Sequence, residues 1–123
     1  MLANLYDNAM DAMGEEGGTL SVRARASSDL KPCTRVRMVV RDTGSGLSAE
    51  AAARAFEPFY TTKPRGTGLG LALVRRAIEA HGGTVHMVSA PGRGTSVVID
   101  LPVGGIATGH VRAEGAKRAQ EAA

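Results

Sequence analysis

Three glycines at alternate positions, Gly66-Thr67-Gly68-Leu69-Gly70, run straight into an apolar stripe of helical spacing at Leu71, Val74 and Ile78. Glycine lets the backbone approach a ligand and turn its N–H groups outward. A helix N-terminus adds unpaired N–H donors and a partial positive charge. The combination makes a phosphate site. Lys63 and Arg65 stand just before the glycines and supply two cations to the same place. A Gly-x-Gly-x-Gly run is weak evidence by itself, so the segments around it decide its meaning.

Three further groups could do chemistry. Asn4, Asn8 and Asp11 are spaced by four and three, which places them on one helix face. An Asn carboxamide oxygen is a hard ligand that can help hold a phosphate-bound Mg²⁺. The same stripe, opposite Leu2, Leu5 and Ala9, is also what a solvated surface helix shows. Asp42-Thr43-Gly44-Ser45-Gly46 closes an alternating strand. The acid can accept a hydrogen bond from an amino group while the glycines make room for a flat ring; a plain tight turn reads equally well. Gly92-Arg93-Gly94-Thr95 reads as a hairpin turn. Phe56-Glu57-Pro58-Phe59-Tyr60-Thr61-Thr62-Lys63 reads as a loop with Phe56 and Phe59 as core anchors beneath it.

The elements that must position these groups alternate along the chain. Leu2, Leu5, Ala9, Ala12 and Met13 predict a helix ended by Gly14. Thr19 to Ala26 predicts a strand with Leu20, Val22 and Ala24 on one face and Ser21, Arg23 and Arg25 on the other. Ser27 to Cys33 reads as a hairpin loop, and Arg35 to Asp42 as the next strand, with Val36, Met38 and Val40 inward. Ser48 is an N-cap, with Glu50 in the first turn of a short Ala-rich helix. A longer helix from about Leu69 to His81 stops at Gly82-Gly83. Val85 and Met87, then Val97, Ile99 and Leu101, predict two last strands, ended by Pro102. Residues 103–123, rich in Ala, Gly and charge, read as a frayed or weakly helical tail.

Composition excludes several classes. The 123 residues suit one domain, and no apolar run approaches the ~20 residues of a membrane span. Met1 opens straight into a helical pattern, with no signal peptide ahead of it. The single Cys33 rules out an internal disulfide and fits a reducing cytoplasm. Net charge is only +3, and the arginines fall on alternate strand positions rather than in a run. With no Trp, two Tyr and two Phe, the chain lacks the stacking aromatics of a single-strand nucleic-acid binder. The basic balance therefore reads as solvation with some attraction for phosphate, not as nucleic-acid binding.

Order and spacing join the groups. Asn-x-x-x-Asn, Asp-x-Gly-x-Gly, Phe-Glu-Pro-Phe, Gly-x-Gly-x-Gly and Gly-x-Gly-Thr, from Leu2 to Pro102, resemble the N, G1, F, G2 and G3 boxes of bacterial sensor histidine kinases. The Phe-Tyr-Thr-Thr-Lys version with its short lid is similar to the nitrogen-regulation type. The resemblance implies the Bergerat ATP-binding fold of the GHKL superfamily: a two-layer α/β sandwich with a mixed, mostly antiparallel sheet and helices on one face. It implies ATP and Mg²⁺ as ligands. Asn8 would coordinate the metal, and Asn4 would support the site one turn earlier. Asp42 would accept the adenine amino group, with Gly44 and Gly46 shaping the pocket and Thr95 nearby. Gly66, Thr67, Gly68, Leu69 and Gly70 would line the triphosphate, and Lys63 would be a lid cation.

The resemblance also implies a reaction and partners. Hydrolysing relatives such as gyrase, MutL-type repair proteins and Hsp90 chaperones carry a Glu one turn before the magnesium Asn as general base on water. Here that position is Asn4, which cannot take a proton. The chain thus resembles a kinase module that hands a γ-phosphoryl group to a histidine on a separate dimerisation domain, and through it to a response regulator. An ATP-gated interaction module or a GHKL ATPase is the alternative. His81, His86 and His110 lack the His-Glu/Asp-x-x-x-Pro setting of a phosphoacceptor. The family places a strand, more of helix one and the dimerisation domain upstream, so residues 1–102 read as a catalytic domain incomplete at its N-terminus. The expected location is the cytoplasm, with any membrane anchor elsewhere in the parent kinase.

Overall fold

The computed structural model describes residues 2–26, 35–63 and 66–103. The expected hairpin loop at 27–33, Arg65, His110 and the tail beyond 103 lie outside the described residues. Helix α1 spans Leu2–Met13, followed by β1 (Leu20–Ala26) and β2 (Arg35–Asp42). Two helices come next, α2 (Ala49–Arg54) and α3 (Gly70–Ala80). Strands β3 (Thr84–Ser89) and β4 (Thr95–Pro102) close the chain's described part.

Local chemistry sets these boundaries. Gly14, at φ +61°, donates from its N–H to Met10 O and ends α1. Ser48 Oγ accepts from Ala51 N–H at 3.2 Å and caps α2. Gly82, at φ +77°, turns the chain out of α3, and the Gly83 N–H reaches back to Ile78 O. The strands form one sheet in the order β1-β2-β4-β3. Every pairing among the described residues is antiparallel, so the parallel component of a mixed sheet is not among them.

Side-chain alternation gives this sheet two unlike faces. Val40, Val97 and Ile99 pack inward against Leu5 of α1 and Val74 and Ile78 of α3, with Met38, Val85, Met87 and Leu101 around them. The helices thus cover one face, as the two-layer reading requires. The inner face of β1 is the exception: Val22 remains 39% exposed and Ala24 is exposed too, because α1 packs on β2 instead.

Phe59 corrects the sequence reading. Phe56 packs against the core as expected, but Phe59 is 77% exposed and adopts φ +68°. Its backbone, not its ring, is what the fold uses. The Phe59 N–H donates to Gly68 O at 2.8 Å and pins the loop that starts at Tyr60.

The outward face carries a bidentate ion pair. Arg37 forks onto Asp100, Nε to Oδ1 at 3.1 Å and a terminal nitrogen to Oδ2 at 2.9 Å. These bonds hold the Asp100 carboxyl below the usual carboxylate range; burial opposes them, and the charges of Arg37, Arg35 and His86 help. A depressed folded-state pKa stabilises above the unfolded value and ceases to as pH falls through the folded one. Asp100→Asn should therefore lower the urea midpoint modestly at neutral pH, and the gap from wild type should close in acid. A gap that persists well below the unfolded carboxyl pKa of ~3.9 would assign the loss to something other than this pair.

Candidate functional site

An open cleft of about 790 Å³ lies between the helices and the sheet. That is the size of a cofactor site. Val40, Val97, Met87, Leu5, Ala51 and Leu71 supply apolar wall. Asn8, Asp42, Lys63 and Thr95 supply polar groups from four separate elements.

At the strand ends, Asp42 and Thr95 are direct cross-strand partners on the inner face. Asp42 is 8% exposed, and its Oδ1 accepts the Gly44 N–H at 2.8 Å. Among the described residues Oδ2 takes no hydrogen bond, which leaves an acceptor for a ligand's N–H donor. Thr95 Oγ1 is 2.8 Å from Ser89 Oγ, and Ser89 also accepts the Leu47 N–H and reaches Gly94 O. This hydroxyl pair locks the loop after Asp42 onto the β3–β4 turn. Ser89 carries no motif, and only strand alternation and register bring it inward.

The glycines here meet backbone. A Cβ on Gly46, at φ +71°, would fall on the Ala90 carbonyl oxygen. One on Gly44 would lie 2.7 Å from Ala12 backbone atoms, so Gly44 seats α1 against the loop behind the cleft.

Across the cleft, α3 starts without a side-chain cap and without an acid in its first turn. Its first N–H groups keep no side-chain partner, unlike those of α2. An anion is the natural complement. Gly66, Thr67, Gly68 and Gly70 line the cleft there, while Leu69 sits behind them, its N–H on Thr67 Oγ1. Gly68, at φ +73°, has no room for a Cβ, which would strike the Phe59 backbone. Asn4 does not line the cleft. Its Nδ2 donates to Gly70 O at 3.4 Å and tethers α1 to the start of α3.

Lys63 joins the two sides. Its Nζ donates to Asn8 Oδ1 at 3.0 Å and to Asp11 Oδ2 at 2.7 Å. The two oxygens already converge on one positive centre. Both are hard donors, so the place fits a divalent cation shared with phosphates. Among the described residues no three of His, Cys, Asp and Glu gather to hold a metal. A cation here would rest on one or two protein oxygens and on the ligand, as Mg²⁺ does in nucleotide sites.

Tyr60, Thr61 and Thr62 also line the cleft. Arg54 stacks over the Tyr60 ring at 4.4 Å and steadies the root of this segment. The Lys63–Asp11 pair is half exposed, with side chains 41% and 61% accessible. Such pairs contribute ~0.2–1 kcal/mol. Lys63→Ala should therefore quicken amide exchange at Thr61, Thr62 and Thr67 about two- to fivefold in the ligand-free protein. Unchanged exchange there would show that the lysine does not latch the loop.

The chain resembles known proteins over most of its length. Residues 1–105 match the family of histidine kinase-, DNA gyrase B- and HSP90-like ATPases. The chain belongs to this family. It is an ATP-binding domain of the histidine-kinase kind, as its relatives show. It is 45% identical over 105 residues to the sensor histidine kinase ZraS of Klebsiella oxytoca, covering 85% of this chain and 22% of that protein. The sensor protein TdiS of Thauera aromatica is 37% identical over 106 residues, covering 84% and 19%. Among solved structures, the mycobacterial sensor histidine kinase MprB is similar at a TM-score of 0.66 and 32% identity, over 80% of this chain and 65% of that one. The catalytic domain of histidine kinase ThkA matches at 0.65 and 35%, over 82% and 62%. The chain thus spans about a fifth of the length of these curated relatives. No helix among the described residues is long and apolar enough to cross a membrane.

Proposed function

We propose that the domain binds Mg·ATP in this cleft and donates the γ-phosphoryl group to a histidine on a separate dimerisation domain. The observation that carries the reading is the convergence of Asn8, Asp11 and Lys63 opposite an uncapped helix start, with Asp42 and Thr95 on the cleft floor. Asp42 accepts the adenine amino group through its second oxygen and Gly46 lines the pocket beside it, while Gly44, expected from the sequence to shape the pocket, seats α1 behind it. Thr67, Gly68 and Gly70 present backbone N–H groups to the triphosphate, with Gly66 lining the cleft beside them and Leu69 behind, and Lys63 turns from Asn8 and Asp11 to the phosphates. Asn8 would hold the metal, with Asp11 beside it. When bound, Mg²⁺ neutralises phosphate oxygens and orients the transferring group. An acceptor imidazole nitrogen then bonds to the γ-phosphorus as the bond to the β–γ bridging oxygen breaks and ADP leaves. The chain's contribution is positioning and charge.

Asn4 favours phosphoryl transfer over hydrolysis. A carboxamide takes no proton from water, and this one is engaged with Gly70 O. The acceptor domain, and a response regulator beyond it, belong to the parent protein. Residues 1–102 form the catalytic unit and 103–123 a tail. A cytoplasmic location, where ATP is abundant, follows from the same reading and from the lone Cys33.

Incubation with γ-labelled ATP and the dimerisation domain of a related sensor kinase tests the proposal. Label should pass slowly to the acceptor, because tethering and its effective concentration are lacking. Without the acceptor, neither labelled protein nor appreciable free phosphate should form. Brisk hydrolysis abolished by Asn8→Ala would make the domain a hydrolase. Nucleotide binding with no transfer to any acceptor would make it a gated interaction module.

A further inference from the structure

Arginines that are spread along β1 and β2 in the sequence collect on one side of the sheet. Arg23, Arg25, Arg35, Arg37 and Arg41 all occupy the positions that alternate with the core residues, so all face away from the helices. Register packs them closely. Arg25 lies directly across from Arg37, and Arg41 lies between Ser21 and Ser96. His86 on β3 shares the row of Arg23, Val39 and Val98. Among the described residues this face holds a single acid, Asp100, already bound by Arg37. The other acids of the described chain sit mainly in or beside the helices, among them Asp7, Asp11, Glu15 and Glu79. The charge separation is therefore structural. Asp100 offsets the charge of Arg37, which leaves Arg23, Arg25 and Arg41 exposed on this face with no acid paired to them among the described residues.

We propose that this outer sheet face docks an acidic protein segment, one that presents several Asp or Glu carboxylates. The cations on the described strands are arginines, with no lysine, and a guanidinium fork matches a carboxylate in a bidentate pair. Arg37 and Asp100 display that pairing on this very face. The strands carry no Phe, Tyr or Trp and only one imidazole, His86, so they offer no run of stacking rings to nucleic-acid bases. Nor do they carry a bulky apolar wedge for a lipid interface; Val88, 61% exposed, is the largest apolar projection there. Four strands ~4.8 Å apart and ~20–25 Å long present on the order of 400 Å², the scale of a transient contact. The nucleotide cleft opens on the opposite face, so docking and nucleotide binding are separable.

A short poly-glutamate peptide is the probe, titrated into the isotope-labelled chain with amide shifts as readout. Shifts should fall on β1, β2 and β4 and not on α3 or Lys63, and binding should weaken with salt. The variant Arg23→Ser/Arg25→Ser/Arg41→Ser uses a residue this face already carries at Ser21 and Ser96. It should lose about tenfold or more in affinity while ATP-analogue affinity stays unchanged. Arg41→Glu alone should weaken binding too, and serves if the triple variant does not fold. Undiminished binding in these variants would overturn the proposal. So would shifts confined to the nucleotide cleft, no binding at all, or tighter binding to duplex DNA or phosphatidylglycerol vesicles than to the peptide.

Discussion

Replacing Asp42 with asparagine should remove most of the affinity for adenine nucleotides. The carboxylate is 8% exposed, and Gly44 N–H already occupies one oxygen. The other is a pure acceptor at the cleft floor. In the Asp42→Asn variant the single carboxamide oxygen would go either to Gly44 or to the ligand, and the amide nitrogen would face a donor in the other place. A hydrogen bond to a charged acceptor is worth ~1.5–3 kcal/mol, so ADP should bind about ten- to a hundredfold more weakly. Calorimetry with ADP reads this directly. The fold should survive, since Thr95 is held by Ser89 and not by Asp42. Equal ADP affinity in wild type and mutant would remove Asp42 from the base-binding role.

Asn8→Ala should be as damaging, by a different route. Asn8 Oδ1 faces a cation in the ligand-free protein, Lys63 Nζ at 3.0 Å. With that oxygen gone, Asp11 alone remains to share a metal with the phosphates. Binding of an ATP analogue should fall sharply with Mg²⁺ present and little in its absence, because the lost group acts through the metal. Phosphoryl transfer to a supplied acceptor should fall below detection. Matched titrations with Mg²⁺ and with a chelator separate the effects. Equal losses in both would place Asn8 on the nucleotide and not on the metal. The Lys63→Ala variant provides the contrast, since it removes the competing cation and leaves both oxygens in place.

Much of this site was legible in the residues. Periodicity locates the elements because side chains alternate on a strand and return every three to four residues on a helix. Gly14, Ser48 and Gly82 end or start helices where they should, since a positive φ or a cap is a local requirement. Gly46 and Gly68 are glycines because backbone lies where a Cβ would go. The family motifs are short segments whose chemistry is carried by neighbouring residues, and they survive being read in one dimension.

What the chain order could not supply was the partnership of distant residues. That Phe59 is exposed while Phe56 is packed depends on the Phe59–Gly68 bond that turns the backbone, not on either side chain's hydrophobicity. That Asn4 tethers α3, and that Lys63 rests on Asn8 and Asp11, depends on how α1 lies beside the loop more than fifty residues away. Ser89 gains its place from strand register alone. The arginines are the clearest case. At alternate positions they look dispersed in sequence, yet alternation itself sends every one of them to the same side of the sheet, and antiparallel register sets β1 against β2 so that their charges add. A one-dimensional count sees a net charge of +3; the fold separates it into a basic sheet face and a helical layer that carries most of the described acids.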